Sequence, residues 1–386
     1  MKLVVFSHKL VWQNPESTIG YATDGGFAFH MKAISEIFDE TIVAVPLSSK
    51  RITEGEILFN GHNLSIWPLK NIKGSGFRRK LNYIPWLLKH IYIFNKLINY
   101  ADAVHVPIPS DIGTLGMLLA KIKNKPLFVR HCGNWMVRKT TAEKFWFWFM
   151  ERYAGGKNLM LATGMQDSPP SEKNQNIKWI FSSSLTIAEI GYLGKNLPVL
   201  NIRSPRLIIV CRMELEKGPG RVIEAISLLS HEYPGIHLDI VGDGPALVKF
   251  KKMVEDMNLI NNVTFHGKIN HEDVLKVLQS AHIFCYPTLA SEGFPKVVLE
   301  ALASGLPVIG TPISAISLLL KNGSGILLTN ELPDTLAQGI RKLLNDPGNY
   351  SNMQNRALEA SRDFSLENWR DIIKNHLQSS WGLSLR

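Results

Sequence analysis

The sequence predicts an α/β protein of two domains, each a parallel sheet covered by helices. Three observations predict it. The chain has 386 residues, more than one hydrophobic core ordinarily organises. Short apolar runs alternate with segments of helical periodicity. In the second half, several of these runs end in glycine or charged residues, where an α/β sheet presents its ligand.

Leu3–Phe6 reads as the first strand, and a loop with Gly25-Gly26 follows it. Phe27–Ile37 is helical in pattern and Thr41–Val45 is a second strand. Val104–Val106 and Leu127–Val129 are β runs separated by the helical Gly113–Ile122. Strands then fall at Leu207–Cys211, Leu238–Val241, Val263–His266, Ile283–Tyr286 and Val308–Gly310. Between them lie helical Val222–Leu229, Ala246–Met257, His271–Gln279 and Lys296–Ser304. Two such halves would place a ligand in the cleft between them, at the carboxyl ends of the strands. The polar stretch from Ser168 to Asn176 is expected as a surface loop close to the hinge. The expected domains are 1–200 and 201–364, with 365–386 as a terminal helical segment; Ser365 is its candidate cap and Ile372–Leu377 its amphipathic part.

Hydrophobic content of 45% and charged content of 20% exclude a disordered chain. Cys132, Cys211 and Cys285 have no CxxC spacing and leave an odd thiol, against a disulfide framework or a structural zinc site. No signal peptide and no uninterrupted membrane-spanning apolar run is visible. A cytoplasmic protein is expected. The net charge of +10 resides in the first half, where residues 1–200 hold 24 Lys/Arg against 14 Asp/Glu. It is densest at Lys70, Lys73, Arg78, Arg79, Lys80, Lys89 and Lys96. That asymmetry suits a polyanionic partner; a solvated face is the plainer alternative.

Three segments carry the chemistry. In the first, Leu207–Cys211 runs into a loop with Arg212 and Lys217, and Pro219 suits the first turn of the next helix. Cations beside a helix N-terminus suit a diphosphate, although surface cations alone are commoner. The second, Val241-Gly242-Asp243-Gly244-Pro245, permits close backbone approach to a ligand, but Asp-Gly is also a common turn pair. In the third, Glu292 precedes a helix opened by Pro295, and Glu300 interrupts that helix's apolar face. A carboxylate there wants donors, which a ribose diol supplies; a local Arg or backbone would also serve.

The combination Arg212…Glu216-Lys217-Gly218, Val241-Gly242-Asp243-Gly244-Pro245 and Glu292-x7-Glu300-Ala301-x3-Gly305-x-Pro307-Val308 resembles the retaining glycosyltransferases of the GT-B fold known as family 4. The likeness covers roughly residues 203–320. It implies two Rossmann-like domains, a nucleotide-sugar donor bound mainly by the second, no required metal or cofactor, and a last helix crossing back to the first domain. It assigns Arg212 and Lys217 to the donor diphosphate, Glu300 to the ribose and Glu292 to the transferred sugar. Backbone N–H groups from Gly293, Phe294 and Lys296, with Pro295 excepted, would face sugar and phosphate. Cys211 and Pro295 stand where the family usually or often has glycine. In the first half, Gly25 and Gly26 resemble the family's glycine pair near the donor phosphate and acceptor. His131, after the strand Leu127–Val129, resembles its active-site histidine. His105 is a weaker candidate.

The resemblance therefore implies a retaining hexosyltransferase acting on a glycan or lipid-linked acceptor in surface-polysaccharide assembly. Its alternatives are a sugar-nucleotide epimerase or hydrolase of the same fold, or a silent sugar-nucleotide-binding protein at a membrane. Arg78-Arg79-Lys80, Tyr83, Trp86, Leu87-Leu88, Tyr92 and Phe94 mix cations with apolar groups, which suits the inner face of an anionic membrane. The aromatic run Phe145–Met150 reads first as a helix packed on the sheet. No nucleic-acid-binding motif accompanies the charge.

Overall fold

The structure is a computed structural model describing residues 1–53, 55–72, 74, 76–382, 384 and 385, without the side chains of residues 77 and 80. It divides into two compact units, Met1–Ser184 with Leu366–Arg386, and Leu185–Ser365.

The first unit begins with β1 (Lys2–Phe6), β2 (Trp12–Gln13), β3 (Tyr21–Asp24), α1 (Phe27–Ser35), β4 (Glu40–Leu47), β5 (Glu56–Leu58) and β6 (Leu64–Lys70). It continues with α2 (Gly76–Tyr100), β7 (Ala103–Ile108), α3 (Asp111–Ile122), β8 (Leu127–His131), α4 (Thr141–Tyr153), β9 (Asn158–Thr163) and β10 (Ile177–Ile180). Seven strands form one parallel sheet in the order β10-β9-β8-β7-β1-β4-β6. Both faces are covered, so strands such as β7 and β9 are buried throughout. A small antiparallel sheet, β2-β3-β5, lies apart from it in the pairing.

The second unit holds α5 (Ile187–Leu193), β11 (Arg206–Val210), a 3-10 turn at Leu215–Lys217, α6 (Pro219–Leu229), β12 (His237–Val241), α7 (Leu247–Asp256), β13 (Val263–Gly267) and α8 (His271–Ser280). It closes with β14 (Ile283–Tyr286), α9 (Lys296–Ala303), β15 (Val308–Gly310), α10 (Ile316–Leu319), β16 (Gly325–Leu327), α11 (Pro333–Leu344) and α12 (Pro347–Arg362). Its six strands are parallel, in the order β13-β12-β11-β14-β15-β16. The final helix, α13 (Leu366–Trp381), belongs to the first unit, packed on α1 and β9.

The division differs in place from the expected boundary at 200. Ile190 and Leu193 of α5 bury against Ala303, which ties the segment after Ser184 to the second unit. The polar stretch 168–176 is not at the division. It joins β9 to β10 and is held inside the first unit, where Trp135 Nε1 donates to the Pro170 carbonyl at 2.7 Å and Asn174 Nδ2 to the Glu151 carbonyl at 2.8 Å. A polar, turn-rich composition marks solvent exposure, which a loop inside a domain shares with a linker. The aromatic run 145–150 is the middle of α4. Phe149 and Met150 are buried against the sheet, while Trp148 is half exposed.

Candidate active site

In both sheets the strand order reverses beside the first strand of the unit, with β1 between β4 and β7 and β11 between β12 and β14. Chains leaving two such strands diverge to opposite faces and leave a crevice at the carboxyl ends. Each unit has a cavity there.

In the second unit, a cavity of about 470 Å³ is lined by Arg212 and Cys211 after β11, Lys217, Tyr286 at the end of β14, Glu292 and Lys296. The 3-10 turn after β11 delivers Lys217, and Gly218 then takes a φ of +93°. A Cβ there would sit 2.5 Å from the Pro287 carbonyl oxygen, so glycine is required on both counts. Pro219 opens α6. Lys217 Nζ pairs directly with Glu292 Oε1, and the Tyr286 hydroxyl donates to the same oxygen at 2.9 Å. Burial, with Glu292 beside it, pushes the Tyr286 phenol far up, so it stays a donor. Arg212 is largely exposed and reaches Glu214 at 3.2 Å, a surface pair of little intrinsic worth. The charged groups lining the cavity leave a positive balance: Arg212, Lys217 and Lys296 against Glu214 and Glu292.

Two helices start beside these groups with no side-chain cap, α6 after Gly218 and α9 after Pro295. Their first turns therefore present backbone donors and a positive dipole end. Pro295 caps α9 from outside instead of opening it, at φ −82° and ψ 89°. At its far end α9 closes in a Schellman motif: Gly305, at φ +70°, donates to the Leu302 carbonyl at 2.9 Å and Leu306 to the Ala301 carbonyl at 3.0 Å. Gly305 thus has a backbone role.

Two further candidates of this half, Gly242 and Glu300, do not line the cavity. Gly242 approaches the protein's own backbone. At φ +130°, a Cβ on it would lie 1.9 Å from the Cys211 carbonyl oxygen, and Gly242 does not line the cavity. The Gly244 Cβ would likewise meet Met213 backbone at 2.7 Å. Glu300 is buried, and its carboxylate accepts from His271 Nε2 at 3.0 Å. The Glu300 hydrogen bond raises the His271 pKa against the effect of burial. Sequence reasoning did not single out Tyr286 or His271. Tyr286 ends an apolar run that reads as core, and His271 sits 29 residues from its partner. Burial pushes the Cys211 thiol up to about 12, leaving it protonated and inert.

In the first unit, Gly25 has a φ of +65° and open space where a Cβ would go, and Gly26 is the residue before α1, which has no side-chain cap. Asp24 before them pairs with Lys9 at 2.7 Å. His131 ends β8, is buried, and packs edge-on to Trp135 at 5.3 Å. Among the described residues its Nδ1 makes no hydrogen bond, and burial, against a backbone contact with Gly133, depresses its pKa to about 4, so the imidazole is neutral at pH 7. His105 is stacked on Phe128 at 4.0 Å and fully buried, with a pKa near 3. It is a core residue. A cavity of about 930 Å³ lies at the carboxyl ends of β1 and β7, lined among others by His8, Lys9, Asp24, Arg79, Asp111 and Trp146. His131 does not line it. Its charges are paired, Lys9 with Asp24 and Arg79 with Asp111 at 2.6 Å. Of the expected basic cluster, Arg79 is thus neutralised, and Lys73 and the side chain of Lys80 lie outside the described residues.

Residues 198–361 match the model of the family described as Glycosyl transferases group 1. The chain is 25% identical over 367 residues to Protein CapJ of Staphylococcus aureus, covering 88% of this chain and 89% of that one. It is 30% identical over 188 residues to the poly(glycerol-phosphate) alpha-glucosyltransferase of Bacillus subtilis, covering 47% of this chain and only 28% of the relative. Among solved structures it is similar to Anabaena Alr3699/HepE in complex with UDP, with a TM-score of 0.69 and 16% identity over 98% of this chain and 100% of that one. At that identity the likeness is one of fold.

Proposed function

We propose that this chain, a glycosyltransferase of the GT-B fold whose residues 198–361 carry the group 1 model, transfers a sugar from a nucleotide-sugar donor held by its second unit, with retention at the anomeric carbon. The observation that carries the reading is the Lys217–Glu292–Tyr286 cluster at the reversal point of the second sheet, beside the uncapped starts of α6 and α9. A diphosphate entering this positively balanced cavity would draw Lys217 away from Glu292. The carboxylate, still held by Tyr286, would then accept from hydroxyls of the transferred sugar. Negative charge growing on the departing diphosphate would meet Lys217, Arg212 and the helix N-termini without any metal ion. His271 would hold Glu300 facing the ribose hydroxyls. Among the described residues no carboxylate lines the cavity other than Glu214 and Glu292. With Glu292 engaged by the donor sugar, front-face departure and attack fits better than a covalent intermediate.

The 930 Å³ cavity of the first unit is our candidate for the acceptor. Its internally paired charges and Trp146 suit a neutral, hydroxyl-rich group. His131 is the first unit's candidate for the chemistry, as a neutral imidazole. The relatives' names support a glycan-type acceptor, and the UDP in the Anabaena structure makes UDP-sugars the first donors to try.

Thermal-shift screening against UDP-, GDP-, ADP- and CMP-sugars tests the donor, because a ligand that binds only the folded state raises its apparent stability. A response abolished by Lys217→Ala and Glu300→Ala is expected. No response to any of the panel would overturn the reading. Incubation with labelled donor separates transfer from the epimerase or hydrolase alternative, which yields epimerised or free sugar without an acceptor. Donor binding without turnover, under every acceptor supplied, would favour a silent binding protein.

A further inference from the structure

Lys296 is the first residue of α9, a position that does not suit a cation. A helix N-terminus carries the positive end of the dipole and favours an acid in its first turn. α9 has no acidic residue there and no side chain capping it, and it begins with this lysine. Its first turn also offers few backbone donors. Pro295, at the cap position, has no N–H, and the Val298 N–H donates to the Pro295 carbonyl at 3.1 Å. The half-buried Lys296 side chain lines the second unit's cavity beside Arg212 and Lys217. Those two cations each pair with a carboxylate of the same cavity, Arg212 with Glu214 and Lys217 with Glu292. By count of the lining side chains, Lys296 is what makes the balance positive.

We propose that the Lys296 ammonium is a third cationic ligand of the donor diphosphate and supplies there the contact that Pro295, lacking an N–H, withholds. This rests on the donor reading given above. A helix start that binds phosphate ordinarily does so through several backbone N–H groups together with its dipole. At α9 two of those groups are unavailable, one because of the proline ring and one because it bonds within the first turn. A charge-assisted bond from an ammonium is a stronger replacement for a neutral N–H. Lysine binds phosphate as a point charge on a flexible stem, so it needs no fixed fork geometry to do this. The sign of the dipole points the same way. Lys296 opposes the dipole of its own helix while no anion is bound, and a diphosphate at the helix start satisfies both.

The test is calorimetric titration of the full chain with UDP, GDP, ADP, CDP and dTDP, without acceptor. Lys296→Ala should weaken the tightest of them about ten-fold to a hundred-fold, the range for a hydrogen bond to a charged group. The melting temperature without ligand should stay level or rise, because the variant removes a cation that opposes the helix dipole. Lys296→Arg should keep most of the affinity. Pro295→Ala restores the missing N–H, and in that background Lys296→Ala should cost about five-fold less than in the wild type, a coupling read as a double-mutant cycle. Should Pro295→Ala fail to fold, the Ala and Arg variants of Lys296 still decide whether a cation there binds the diphosphate. A folded Lys296→Ala chain that binds like the wild type overturns the proposal. A loss of equal size in both backgrounds overturns the link to Pro295. Binding of none of the five nucleotides by the wild type overturns the donor reading itself, a result distinct from either.

Discussion

Lys217 pairs with Glu292, and Tyr286 is a second donor to the same oxygen. On the proposed reading the Lys217 ammonium passes from Glu292 to the donor diphosphate. Lys217→Ala removes the cation from the leaving group and leaves Glu292 half-buried with Tyr286 alone. We expect kcat to fall by about 10²–10³-fold, the usual effect of deleting one such electrostatic donor, measured with saturating donor. Tyr286→Phe keeps the ring packing and removes one hydrogen bond, so a smaller loss, about ten-fold in kcat/KM, is expected. If both variants transfer sugar like the wild type, Glu292 is a structural ion-pair partner and not a substrate contact.

At the scale of elements, the site is positioned by backbone that tolerates no side chain. Gly242 follows β12 at a φ that favours glycine, with the Cys211 carbonyl where a Cβ would go. Gly242→Ala must push apart the loops after β11 and β12, the former of which carries Arg212. A loss of at least about 2 kcal/mol is expected, read from the urea midpoint of the second unit, with a rise in the donor KM. α13 offers a second case. Trp369 is fully buried, His30 stacks on it at 4.6 Å and the buried Arg130 guanidinium lies 5.0 Å from its ring centroid. Trp369→Ala should cost about 3–5 kcal/mol and expose α13 to proteolysis, detected by limited digestion and mass spectrometry. An α13 as resistant as in the wild type would show that its docking rests elsewhere, for instance on the Arg370–Glu36 pair.

For the whole molecule, buried histidines set the response to acid. His105 and His131 stay neutral in the folded first unit down to about pH 3 and 4, whereas an unfolded chain protonates them from about pH 6.5. Below that value the unfolded state binds more protons, so stability falls as pH falls. Each histidine should cost about 2 kcal/mol between pH 7 and pH 5. His271 has the opposite sign. Its raised value adds stability that is complete below the unfolded pKa and lost as pH rises through the folded one. It belongs to the second unit, where burial lowers His237 and His282 and so opposes it, and that unit's response to pH is the balance of the two signs. Urea midpoints at pH 7 and 5, with His105→Gln as the control that flattens the first unit's slope, measure this. Metal dependence is also a property of the assembled enzyme. EDTA should leave the transfer rate unchanged, and a rate restored only by added divalent cation would contradict the charge assignment made to Lys217, Arg212 and the helix ends.

Much was legible in the sequence because parallel strands buried on both faces are written as continuous apolar runs, and the residues that follow them are local in sequence. Leu207–Val210 into Lys217, Ile283–Tyr286 into Glu292, and the helix after Pro295 could all be read this way. α2 could not, because apolar residues on two opposite faces, exposed Leu88 and Tyr92 against buried Phe94 and Leu97, blur the 3.6-residue period. What tertiary structure alone decided was which residues meet. Glu300 faces His271, Tyr286 serves Glu292 from the end of a core strand, and Gly242 yields its space to Cys211. The physical reason is that a run of residues fixes its own burial and backbone preference, whereas hydrogen bonds and close approaches between distant segments depend on the order of strands in the sheet, which no single segment encodes.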